Sequence, residues 1–416
     1  MNSCSICGVN IVHPKDSIIL YNYVIRIIDG FIAEVLPIKQ YNGKNDKTHD
    51  FEGCWVMPGI IDMHTHITFE PHYTIQDEAY CKSNDFLQCS INNLNEMKSS
   101  GITTCRDMGS HNNSTFIVKK YLLENNLYNL PEIISCGDII TYESGHMCCC
   151  GHEFKNVDSL ISTLLINKTC DAKFIKIASD PKDTETEGRI PNPAFTIEQL
   201  SQIVNIAQRF GFYAACHTYP SVEGLTRAIA ANVRTIEHAV PLNEDIKKMC
   251  DDNLFFVPTF VAAYDEVGIL ELLKKGISKN QILLEKIKDY CIPKIYNLSS
   301  VPKSLLEWFN ILCDVLPENL YKGVNFCIGS DAGCKGTDFR SALREIMLLK
   351  VIGATNQQVL FAATENAAKA LSRFDIGIIK PGARANLLLL RDNPLEIIDT
   401  LFENVGVICN GILELH

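Results

Sequence analysis

Six side chains able to bind a cation sit in or just after short apolar runs of this chain, and the tightest grouping is in "VMPGIIDMHTHITF", Val56 to Phe69. In a strand, residues two apart share a face, so His64 and His66 direct both imidazoles at one point while Thr65 faces away. That is the geometry of a chelate, and equally of two strand histidines hydrogen-bonded at a sheet end. Further along, Lys176 lies in "FIKIAS", His217 closes "FYAACH", His238 closes "VRTIEH" and Asp331 lies in "IGSDAG". Neutral imidazoles with carboxylate-type oxygens suit zinc ahead of iron or manganese. A lysine amine is protonated near neutral pH. Buried beside cations it loses that proton more easily, and the free amine can take up carbon dioxide as a carbamate whose two oxygens bridge two metals.

These residues need a scaffold that brings distant strand ends to one rim. From about Met57 to Arg373, short apolar strands alternate with helical patterns, the signature of parallel βα units. The candidate strands are "GIIDMHTH" (59–66), "GITTCRDM" (101–108), "EIISCG" (132–137), "KFIKIAS" (173–179), "FYAACH" (212–217), "VRTIEH" (233–238), "LFFVPT" (254–259) and "NFCIGSDA" (325–332). Between them lie helices such as "TIEQLSQIVNIAQRFG", which Thr196 caps and Gly211 stops. Eight such units predict an α/β fold, a (β/α)8 TIM barrel over 57–373, with its active site at the C-terminal strand ends where the six residues fall. The connection from Thr259 to Gly323 is long and helical, and reads as an insertion over the barrel mouth. Residues 1–56 and 374–416 instead show β-type runs with turns at Asp29-Gly30 and Asn42-Gly43. They predict one discontinuous small β-sandwich built from both ends of the chain.

Composition narrows the function. The chain has 416 residues, 46% hydrophobic and 21% charged, with a formal net charge of -11. That charge argues against nucleic acid or an anionic membrane surface as partner, since both select a basic footprint, and points to a small-molecule substrate. Eighteen cysteines in a chain long enough to bury a core read as buried thiols of a reducing cytoplasm rather than as a disulfide framework. Cys4 and Cys7 have metal-ligand spacing but no second pair follows them, and the run Cys148 to Cys150 has no such spacing. No apolar run approaches the ~20 residues of a membrane span, and no secretory leader is recognisable. The expected location is cytoplasmic.

The motifs "VMPGIIDMHTH", "FIKIAS", "ACH", "IEHA" and "IGSDAG", in that order, resemble the amidohydrolase superfamily with two metals and a carboxylated lysine. "GITTCRDMG" and the closing "ATENAAKAL...IGIIKPGARANLLLL...NPL" resemble more narrowly its prolidase-like branch of Xaa-Pro dipeptidases and related carboxypeptidases. The resemblance implies two divalent metal ions: His64, His66, Lys176 and Asp331 on one, Lys176, His217 and His238 on the other, with a hydroxide between them. It further implies Asp331 as the group that moves the water proton to the leaving amine, His146 in "YESGHM" as a carbonyl or transition-state contact, and Tyr219 as a holder of a substrate carboxylate. Arg189, after strand four, could add a charge-assisted contact to that carboxylate. The sequence departs from the pattern in two places. "SDPKDTETEGRIPNP" follows the lysine where a Gly-Gly pair is frequent, and Ala385-Asn386-Leu387 replaces a frequent Ala-Asp-Leu.

The function expected is hydrolysis of the amide bond of a dipeptide or N-acyl amino acid. The alternatives are a cyclic-amide (imidazolone-type) hydrolase or a deaminase. Single-metal deamination would want a glutamate a few residues beyond His217, whereas Glu223 is six away, and it would leave Lys176 idle. A metal-free scaffold on the same fold would have shed ligands that this chain keeps. Arg106 and Asp107 read as a rim ion pair, and His72, His111 and His152 as solvated loop residues. Assembly into a homo-oligomer through the β module stays open.

Overall fold

The computed structural model describes residues 3–43, 46–70, 86–181, 193–262, 303–334 and 336–416. The chain opens with β1 (Ser3–His13), β2 (Ile18–Ile28), β3 (Phe31–Pro37), β4 (Lys47–Asp50) and β5 (Trp55–Pro58). Asp29 and Gly30 both take positive φ, 48° and 84°, the backbone of a two-residue hairpin turn matched to strand twist, and β2 and β3 pair antiparallel across it. The central strands are β6 (Ile60–Thr65), β7 (Ile102–Asp107), β8 (Glu132–Ser135), β9 (Ile139–Thr141), β10 (Gly151–Glu153), β11 (Phe174–Ala178), β12 (Tyr213–His217), β13 (Thr235–Glu237) and β14 (Phe255–Val257). The chain closes with β15 (Leu387–Leu390), β16 (Gly406–Cys409) and β17 (Ile412–Leu415).

Helices fill the intervals: α1 (Phe86–Ser99), α2 (Ser114–Glu124), α3 (Val157–Thr169), α4 (Ile197–Arg209), α5 (Val222–Ala230), α6 (Glu244–Met249), α7 (Lys303–Tyr321), α8 (Ser341–Val351), α9 (Asn356–Ala362) and α10 (Glu365–Ala370). Helix α4 shows why local sequence suffices there. Thr196 and Gln199 form a reciprocal capping box at its start, and Gly211 at φ 88° lies just past its end, satisfying the end groups that a helix leaves unpaired. Its buried side chains, Leu200, Ile203, Val204 and Ala207, recur at the three- and four-residue spacing of one helical face.

Strands from the two ends of the chain meet in one sheet. The order is β17-β16-β15-β5-β1-β2-β3 with β4 on β1, so the described pairings run through a single eight-stranded sheet where two facing sheets were expected. It packs a core of its own that includes Ile6, Ile11, Ile25, Leu387, Leu389 and Ile408.

The central strands are parallel and lie in two sheets, β10-β9-β11-β12-β13-β14 and β6-β7-β8. Every residue of β6, β7 and β11 is buried, as parallel strands covered on both faces must be. The expected eighth strand, 325–332, forms no ladder. It spans from β14 to β6 by isolated bridges, Phe256 to Phe326 and Thr65 to Ala332, and by single bonds such as Met63 N–H to the Ile328 carbonyl at 2.9 Å. The described strands therefore make a barrel-like arrangement without a closed hydrogen-bonded ring. The ring is open between β8 and β9 as well; at the end of the 325–332 segment Asp331 takes φ 57° and Gly333 just after it φ 100°, left-handed backbone that does not continue a ladder. A Cβ at Gly333 would stand 2.3 Å from the His66 carbonyl oxygen, so only glycine fits there.

Of the expected helical insertion, 263–302 lies outside the described residues, while α7 covers its end. Among the described residues the cysteines are free thiols, and no helix is long and apolar enough to cross a membrane.

Candidate metal centre

His64 on β6, His66 just beyond it and Asp331 converge. Their ligand atoms all lie within 4.8 Å of one another, with His64 Nε2 3.3 Å and His66 Nε2 3.7 Å from Asp331 Oδ1. The backbone enforces this, because Asp331 N–H donates to the His64 carbonyl at 2.8 Å and His66 N–H to the Ala332 carbonyl at 2.7 Å. Each ring is held through its other nitrogen. His64 Nδ1 donates to Glu237 Oε2 at 2.9 Å and His66 Nδ1 to the Gly109 carbonyl at 2.9 Å. A bond at Nδ1 fixes the tautomer and leaves the Nε2 lone pair free for a cation.

His217, ending β12, and His238, just past β13, face each other with ring centroids 4.3 Å apart. The Thr259 hydroxyl donates to the Pro258 carbonyl at 2.8 Å and accepts from His238 Nδ1 at 2.7 Å, so His238 too presents Nε2. Thr259, at φ 47°, is steadied from the far side by Glu345, whose carboxylate accepts Phe260 N–H at 3.0 Å and Val261 N–H at 2.6 Å. Trp308 of α7 donates its indole N–H to the His238 carbonyl at 2.9 Å. His238 ring centroids lie 4.6 Å from His64, which brings the two histidine groups together.

Lys176 lies on β11, fully buried, and its Nζ has no hydrogen-bond partner among the described residues. Burial lowers its pKa, and its charge acts on His64, His66, His217, His238 and Asp331. Burial also drives the four histidines well below the usual imidazole range, His66 to about 3, and raises Asp331 to about 6. The imidazoles are therefore neutral at pH 7, the form that binds metal. Asp180 Oδ2 and both ring nitrogens of His217 are buried without hydrogen-bond partners as well. Buried polar atoms are ordinarily paired. A divalent cation is the partner that this set of neutral imidazoles and carboxylates beside a buried amine of lowered pKa fits.

His146 and Tyr219 stand on the His217 side. The His146 ring stacks on His217 at 4.3 Å and Tyr219 meets it edge-on at 5.0 Å. Both are partly exposed. Arg189 and His72 lie outside the described residues. His111 and His152 are not merely solvated: His111 Nδ1 donates to the Cys149 carbonyl at 2.7 Å and His152 Nε2 lies 3.0 Å from Asp138 Oδ2, which ties down the loop after β9.

Arg106 corrects its expected role. It is fully buried and turns away from Asp107, donating to both oxygens of Glu237 at 2.7 and 2.8 Å, to Thr235 Oγ1 at 2.9 Å and through Nε to the Met63 carbonyl at 2.6 Å. Asp107 instead accepts from Ile67 N–H, Gly109 N–H and the Thr115 hydroxyl. Successive strand residues point to opposite faces, so this pair could never close. Sequence reasoning missed Glu237 and Asp180; the acid directly preceding His238 in "IEH" and the one after "FIKIAS" were the available signals.

A family model described as the amidohydrolase family matches residues 55–413. Among solved structures, a Xaa-Pro dipeptidase with bound methionine in the active site is 22% identical, with 100% of each chain covered and a TM-score of 0.78. A prolidase complexed with N-methylphosphonate-L-proline is 23% identical, with 100% of each chain covered and a TM-score of 0.78. These likenesses establish a shared fold. Among curated proteins, the imidazolonepropionase of Cutibacterium acnes (strain DSM 16379 / KPA171202) is 40% identical over 70 residues, 16% of this chain and 17% of that protein. The chain thus matches well under two thirds of that relative's length.

Proposed function

The chain belongs to the amidohydrolase family, and on that premise we propose that it is a hydrolase of a carbon–nitrogen bond, acting on a dipeptide or N-acyl amino acid with two divalent metal ions, zinc first among them. The observation that carries the reading is the meeting of two histidine groups, His64 with His66 and His217 with His238, with a buried lysine that acts on all four and whose amine has no hydrogen-bond partner among the described residues.

In this reading His64, His66 and Asp331 hold one ion and His217 and His238 the other. The Lys176 amine would take up carbon dioxide, losing a proton, and as a carbamate would help hold the ions. When bound, the ions supply an acidified water and polarise the scissile carbonyl. Asp331 takes the proton of the attacking water at Oδ1 or Oδ2 and passes it to the leaving nitrogen. His146 contacts the carbonyl oxygen as negative charge grows there. Tyr219 donates its hydroxyl to the substrate carboxylate, which sets the amide over the reacting groups. Arg189 adds a charge to the same carboxylate. The fold likeness to a Xaa-Pro dipeptidase and a prolidase supports this substrate class.

The test is a steady-state panel of dipeptides, N-acyl amino acids and their C-terminal amides on zinc-loaded protein. Free acids should be cleaved and their amides much more slowly. A second reading, hydrolysis of a cyclic amide, is favoured by the local likeness to an imidazolonepropionase. Turnover of cyclic amides with none of the open-chain acids would replace the first reading by the second.

A further inference from the structure

Asp180 stands two residues beyond β11, the strand that carries Lys176. Its side chain is 1% exposed, and Oδ2 lies 3.3 Å from Nε2 of His217, whose side chain is 3% exposed. Neither atom has a hydrogen-bond partner. The carboxylate is held in place by the Tyr219 backbone N–H, and the Asp180 carbonyl accepts His146 N–H at 2.9 Å, so the side chain is aimed rather than adrift. Across the centre, His64 Nε2 and Asp331 Oδ1 are also 3.3 Å apart. Two donor atoms each about 2.1 Å from a tetrahedral cation stand about 3.4 Å from one another. Both His–Asp pairs therefore have the spacing of neighbouring ligands on one ion.

We infer that Asp180 is a carboxylate ligand of the divalent cation held by His217 and His238, joining that ion through its position beside His217; among the described residues, His64, His66 and Asp331 alone already stand with all their ligand atoms within 4.8 Å of one another. The inference rests on the two-metal reading above. It gives the second ion an oxygen donor, which raises its affinity for hard divalent cations such as manganese.

Titration of metal-free protein with Zn2+, with bicarbonate present, tests it by metal content and calorimetry. Wild type should bind about two ions per chain. Asp180→Asn should bind one as wild type does and the second at least about tenfold more weakly, since even indirect partners of a metal site are worth 10- to 100-fold. The Co2+-loaded variant should show an altered visible absorption band, and Asp180→Glu should recover much of the second affinity. Asp180→Gly serves if the asparagine variant fails to fold, as judged by thermal unfolding of the metal-free forms. Two ions bound at wild-type affinity by either variant overturns the inference and leaves the two-metal reading standing. A single ion on wild type overturns both.

Discussion

Arg106 and Glu237 form an ion pair at 2.7 Å in which neither side chain is exposed. Glu237 also accepts from His64 Nδ1 at 2.9 Å, and Arg106 donates to the Met63 carbonyl of the same strand at 2.6 Å. One buried pair thereby sets the ring of a metal-competent histidine and fastens β6 and β7 to β13. Breaking a buried pair strands a charge at a cost of about 3–5 kcal/mol. Arg106→Met should lower unfolding stability by about that amount, read from the shift of a denaturant midpoint at unchanged slope; a shift under about 1 kcal/mol would mean that Glu237 is satisfied without it.

Asp331 at φ 57° occupies backbone space that asparagine also tolerates. Asp331→Asn should keep the fold and much of the metal while turnover falls at least about 10²-fold, the worth of a positioned general base. Metal content and kcat measured together check this, and near-normal kcat would assign the proton to another group.

Tyr219 reaches the His217 and Trp308 rings, at 5.0 and 5.6 Å, without its hydroxyl being needed for that packing. Tyr219→Phe should narrow the difference in kcat/KM between a dipeptide and its C-terminal amide by roughly the 1.5–3 kcal/mol of a hydrogen bond to a charged group. An unchanged difference would remove Tyr219 from carboxylate recognition.

Metal should stabilise the folded chain by mass action. Zn2+ at 100 times its Kd adds about 2.7 kcal/mol for one site, so chelation should lower the melting temperature and re-addition restore it. Calorimetric scans before and after chelation measure the effect; coincident scans would show that the centre takes up no ion.

Away from the centre, the Arg26 guanidinium bonded at 2.6 Å holds the Asp46 carboxyl down at about 2, against an ordinary 3.8. A depressed acid stabilises the fold above its unfolded value and loses that contribution as pH falls through its folded value. The stability gap between wild type and Asp46→Asn should be constant above pH 4 and close progressively toward pH 2. A gap that is unchanged at pH 2.5 would contradict the pairing.

The sequence by itself determined what is local. Period two puts His64 and His66 on one face, a capping box starts α4, Asp29-Gly30 turns the β2–β3 hairpin, and the alternation of strand and helix places Lys176, His217 and His238 at or near strand ends. These follow from bonds and sterics between residues a few positions apart. What the tertiary structure alone decided is long-range. Arg106 and Asp107 look like a pair in the sequence, yet the strand pleat separates them and the position of β13 supplies Glu237, 131 residues away. The segment 325–332 reads as an eighth strand, but left-handed turns at Asp331 and Gly333 trade ladder bonds for a carboxylate aimed at His64. β9 and β10 are three residues each, too short to carry a period. Asp180 is marked locally only as the acid after "FIKIAS"; the packing of β11 against β12, residue by residue from Phe174 with Tyr213 to Ala178 with His217, carries its carboxylate to an imidazole 37 positions later in the chain.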